Sequence, residues 1–196
     1  MSEAENKVQF GLRKVHYAVL KDDGTYENPV PVPGAVNMTL DAESNVTKFY
    51  ADDVLYYVSN SGTSYSGSLE MARFIDQMLV DIWHYVENAT DHVLVENALA
   101  EPSQFALLFE ISGDKNSDLY VLYACSAGKP GIGSATKSDK NEPQTQKCSL
   151  DAQPLSDGKI SARTTKATPA SVRSAWFTKV YLPAENTQTA QTTSEG

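Results

Sequence analysis

Two neighbouring runs of this chain, Gln104–Ser112 and Leu119–Ser126, are apolar on both faces, and that constrains the fold more than any other feature. In the first, Phe105, Leu107, Phe109 and Ile111 share one side of an extended strand, and Ala106 and Leu108 lie on the other. In the second, Leu119, Val121, Tyr123 and Cys125 alternate with Tyr120, Leu122 and Ala124 in the same way. Strands of this kind must be covered twice, by a second sheet, a helix or a neighbouring subunit. The polar stretch Gly113–Ser117 between them predicts a tight connection.

The same signals recur along the chain. Val15–Leu20 predicts a strand ending at the turn Lys21–Gly24, and the prolines at 29, 31 and 33 predict an extended connector. Val36–Leu40 and Tyr65–Leu69 predict strands, with polar Asp41–Asn45 and Asn60–Ser64 between them as breaks. The stretch Phe49–Val58 holds Phe49, Tyr50, Tyr56 and Tyr57 around the turn-prone pair Asp52-Asp53, which predicts a hairpin. So many aromatics on a short hairpin either lie on the chain's own core or need cover from elsewhere, and the residues allow both. Further strands are predicted at His92–Leu99, at Gln144–Ala152 paired with Lys159–Lys166, and at Trp176–Leu182.

One segment has helical periodicity. Met71, Phe74, Ile75, Met78, Leu79, Ile82, Trp83 and Val86 follow 3.6-residue spacing, predicting a flanking α-helix over about 70–87. About ten strands and one helix make the chain mainly β, a sandwich or barrel with one packed helix. The 196 residues suit one domain over 1–183, with a flexible arm at 1–7 and a disordered polar tail at 184–196.

Charge and motifs exclude most functional classes. The net charge of −9 repels phosphate backbones on average, although it is uneven: residues 1–125 hold 7 basic and 19 acidic groups, residues 126–166 hold 7 and 4. No apolar run is long enough to span a bilayer and MSEAENK lacks the features of a signal peptide, so a soluble protein folding in the cytoplasm is expected. Cys125 and Cys148 form no CxxC pair and read as buried thiols. Gly128–Ser134 has glycines at P-loop spacing, but Ser134 stands where the phosphate-binding lysine belongs. The S-x-x-K string Ser134–Lys137 lies in a loop, and Gly62–Gly67 lacks nucleophile-elbow spacing. His16, His84 and His92 present no metal pair, and Asp22-Asp23 and Asp52-Asp53 are turn residues before they are paired catalytic acids. No catalytic residue, cofactor or metal site is assigned, and no enzyme is expected.

The string KVQFGLRKVHYA (Lys7–Ala18), then PVPVPGAV, FYADDVLYYV, YSGSLEMA, FALLFEISGDK, VLYACSA and EPQTQKCSLDAQP, in that order, resembles the major tail protein of long-tailed siphophages of Gram-positive bacteria. The likeness runs from about Lys7 to Pro183. The resemblance implies a virion protein with a β-sandwich and flanking helix, assembled in the host cytoplasm. Six copies would form a ring, and stacked rings the tail tube through which DNA passes unbound. Implied partners are the chain itself and the tape-measure, terminator and initiator proteins of the tail, with no membrane. Longer members carry an added immunoglobulin-like domain where this sequence has a short polar tail. The segment Asp41–Ser64 takes the place of the inter-ring contact, with Phe49, Tyr50, Asp52, Asp53, Tyr56 and Tyr57 as its candidate assembly residues. The alternative is a monomeric β-sandwich whose exposed aromatics bind a ligand.

Overall fold

The computed structural model describes residues 6–51, 53–113, 115–136 and 143–183. The expected tail at 184–196, most of the expected N-terminal arm and the candidate residue Asp52 lie outside them. The elements run β1 (Gln9–Val19), β2 (Val30–Pro31), β3 (Ala35–Ala51), β4 (Val54–Met71), α1 (Asp76–Trp83), β5 (Val86–Glu87) and β6 (Leu94–Val95). They continue as β7 (Phe105–Gly113), β8 (Ser117–Ala127), β9 (Gln146–Gln153), β10 (Ser161–Arg163) and α2 (Ala170–Ala175).

The fold is mainly β and sandwich-like. One antiparallel sheet runs β2-β1-β7-β8-β9-β4-β3, and β5–β6 forms a small separate ribbon. The outer edge of β8 is shared: β10 pairs along Tyr120–Leu122 and β9 along Ala124–Ala127. The sheet divides there. One side carries a cluster drawn from Tyr17, Leu69, Phe105, Leu107, Cys125 and Leu150, closed by Met78, Ile82 and Trp83 of α1. The other face of β7 and β8 carries Ala106, Leu108, Leu119, Val121 and Tyr123, covered by Trp176 and Val180. Both faces of these strands are therefore covered within the chain, by α1 on one side and the segment from α2 onward on the other.

Proline explains the sheet's first edge. Pro29, Pro31 and Pro33 cannot donate to a ladder, whereas Val32 between them donates to the Val15 carbonyl at 2.8 Å. The alternation gives β2 one bonding edge and one blunt edge.

The structure corrects several expectations. The helix covers eight residues rather than about 70–87, because Met71 still pairs in the sheet with Ala35 and Gln146. It ends at His84, which adopts a left-handed conformation (φ 55°); the His84 N–H donates to the Val80 carbonyl and that of Tyr85 to Leu79. Cys125 does not share a face with Tyr123. Leu122 opposes Leu107 while Cys125 opposes Phe105, so an extra residue in β8 turns Cys125 toward the helix side. Segment 159–166 contributes the short β10, paired with β8 and not with β9. His92–Leu99 keeps only the two-residue β6. The expected closing strand Trp176–Leu182 is instead a turn and irregular chain that lays Trp176 on the sheet, and it follows an unexpected second helix, α2, opening after Pro169. Polar 41–45 and 60–64 are not breaks but parts of β3 and β4.

Candidate assembly surface

The candidate residues fall on one long hairpin. β3 and β4 pair continuously from Ala35↔Met71 to Ala51↔Val54, so two residues, Asp52 and Asp53, connect them. Asp53 has φ 60°, a left-handed conformation that Asp tolerates and tight hairpins require. The expected hairpin is formed, with Asp53 in its connection and Asp52 outside the described residues.

The pairing divides this hairpin into a base and an arm. β9 pairs with Tyr65–Met71 of β4. Beyond that point, among the described residues, 43–51 and 54–64 pair with each other alone. At about 3.3 Å per residue the arm reaches some 30–35 Å. Extra residues sit opposite the Ser44–Asn45 and Phe49–Tyr50 steps, and such bulges raise the twist. Asp41, Ala42, Glu43 and Ser44 on one strand and Gly62 and Thr63 on the other are exposed. At the tip Val54 is 63% and Tyr56 77% exposed.

The expected segment Asp41–Ser64 is thus one continuous arm. Phe49 pairs with Tyr57 and Tyr50 with Leu55 in its backbone register, and Asp53 and Tyr56 lie at its end. The structure brings Phe49, Tyr50, Asp53, Tyr56 and Tyr57 together within one ribbon.

Its root is fixed by a close approach. A Cβ on Gly67 would lie 1.9 Å from the Thr39 carbonyl oxygen, so only glycine fits where β3, β4 and β9 run side by side.

A cleft of about 650 Å³ is lined mainly by polar groups, among them Asn6, Asp118, Thr164 and Arg173. His16 rests against the Phe177 ring, His84 contacts the Ser103 hydroxyl at 2.9 Å and His92 contacts Glu87 at 2.6 Å. Among the described residues no three His, Cys, Asp or Glu side chains gather where they could hold a metal ion. Gly128 and Gly131 of the P-loop-like string donate to Ser149 and Lys147 of β9. Burial raises the Cys125 thiol to about 12 and the Cys148 thiol to about 11, and both are free.

No family model matches the sequence, and no curated protein matches it. Among solved structures, the tube-terminating cap of the anti-feeding prophage, determined by cryo-EM, is similar at 11% identity and a TM-score of 0.46. The match covers 84% of this chain and 98% of that one.

Proposed function

We propose that this chain is a structural subunit of a phage tail, and more specifically a tail-tube protein that stacks as hexameric rings into a conduit for DNA. The carrying observation is the arm. A two-stranded ribbon is marginal in water on its own, and this one extends far past the body with apolar residues exposed at its tip. A second subunit laid over it would supply the missing cover. The ordered strings from Lys7 to Pro183 that resemble siphophage major tail proteins support the same reading. The reading assigns no catalysis, cofactor or metal to the chain, and gives it other copies of itself and the other tail proteins as partners.

Replacing Tyr56 and Tyr57 by Ser tests the arm's part in it. The double variant is expected to fold with an unchanged circular dichroism spectrum and to form no tubes. Tubes of normal length from that variant would remove the arm tip from the interface.

A further inference from the structure

Two surfaces at opposite ends of β8 carry opposite charge, and each leaves apolar side chains in water. The first is residues 86–101, which hold Glu87, Asp91, Glu96 and Glu101 and neither Lys nor Arg. Val86, Val93 and Val95 are exposed there, and Leu99 is 90% exposed. Lys129, just past the end of β8, fastens this segment: its Nζ donates to the Asn97 carbonyl at 2.8 Å and pairs with Glu96 at 2.8 Å.

The second surface is residues 160–182, which hold Arg163, Lys166, Arg173 and Lys179 and no acid; the first three line a cleft with Lys7 and Asp118, and Lys179 lines a separate groove. This groove, of about 380 Å³, runs along α2 and the residues after it, lined also by Val172, Ala175, Trp176, Val180, Tyr181 and Leu182. It is anchored at the other end of β8. Arg173 donates to the Ser117 carbonyl, and Trp176 Nε1 to that of Tyr120 at 3.2 Å. The eleven residues of β8 span about 35 Å. α1, from which the acidic segment leads, packs on one face of β8, and the groove lies on the other. One molecule cannot bring the two surfaces together.

We propose that the acidic segment 86–101 of one copy docks against the apolar groove along α2 of the next, beside Lys179 and the basic cleft that Lys166 lines, as a repeated head-to-tail contact. The inference rests on the reading of the chain as a self-assembling subunit and names one contact of that assembly. Exposed Val and Leu side chains meeting an apolar groove supply burial, and the opposed charges orient the approach. Two different patches in contact form a heterologous interface, the kind that builds rings or filaments.

Charge reversal in the full chain tests it, with one variant carrying Lys166→Glu and Lys179→Glu and another Glu87→Lys and Glu101→Lys. Each is first checked for a native spectrum and melting temperature. Self-association, followed by sedimentation velocity and light scattering, is expected to weaken about tenfold or more in each variant alone. Mixing them is expected to restore it, since each mutated surface then meets its complement in the other chain, and added salt is expected to weaken the wild type. Two variants that associate like wild type, or a mixture that does not recover, would overturn the contact. Tubes persisting in both variants remove this contact and leave the tail-tube reading standing. Salt-sensitive, swap-dependent oligomers that never form tubes keep the contact and remove that reading. A wild-type chain that stays monomeric at every concentration removes both.

Discussion

Glu110 shows how one strand irregularity organises a charged cluster. Consecutive residues of a regular strand point to opposite faces, yet Arg13 and Lys14 both reach this carboxylate, at 2.7 and 2.8 Å. A bulge in β1 between Arg13 and His16, with Lys14 at φ 50°, makes that possible. Glu110 is buried, and burial raises its pKa; hydrogen bonds from Lys14 and Ser117 and the charges of Lys14 and Arg13 outweigh it and hold the carboxyl below the usual Glu range. A depressed carboxyl contributes stability above its unfolded pKa, and the contribution is lost as the pH falls through the folded value. Denaturant midpoints are therefore expected to hold from pH 7 to about 5 and to fall below about 4.5. Glu110→Gln is expected to lower stability at pH 7 by about 1–3 kcal/mol and to flatten that acid limb. At Gly67 the steric argument is harder: Gly67→Ala drives a methyl into the Thr39 carbonyl and is expected to cost about 3 kcal/mol, measured by urea unfolding. Neither effect was legible in sequence. Glu110 lies in an apolar run and its cations lie 97 and 96 positions away, and nothing local marks Gly67 as a contact between backbones.

At the scale of elements, legibility follows the source of each element's stability. β7 and β8 were readable because both their faces are buried inside the chain, and burial leaves an apolar pattern. The bulge that turns Cys125 away from Tyr123 was not, since one extra residue leaves composition unchanged. The hairpin turn at Asp52-Asp53 was legible from turn chemistry, but the arm's polar stretches read as loops because solvent, not core, surrounds them. α1 was found and overextended, since Met71 and Phe74 have helical spacing while serving the sheet and the connector. α2 was missed because its six small and polar residues, Ala170–Ala175, are too few to show an apolar period, and Trp176–Leu182 read as a strand because the contact that anchors it, Trp176 with Tyr120, spans 56 positions. The packing of α1 gives a direct check. Ile82 of α1 is fully buried in the cluster that the helix closes, so Ile82→Ala is expected to cost about 2–5 kcal/mol in denaturant unfolding. A cost under about 1 kcal/mol would mean that the helix does not close the core.

For the whole molecule, both faces of β7 and β8 are covered internally, and the large apolar side chains left exposed include Val8, Phe10, Val36 and Ile132 as well as two groups. Tyr56 and Val54 at the arm tip, and Val86, Val93, Val95 and Leu99 beyond α1, lie in water. A ligand-binding module would gather such residues around one pocket; Val54 and Tyr56 lie instead at the end of the arm and Leu99 in the segment after α1. Net charge fits the proposed conduit, because copies at −9 each would give a ring a strongly negative field that discourages DNA from adhering. The most direct measurement is negative-stain imaging, alongside sizing, of the purified full-length chain across a concentration series, with and without an initiating tail complex. Stacked rings enclosing a continuous axial channel are the predicted result. A compact monomer under every one of those conditions would contradict the account.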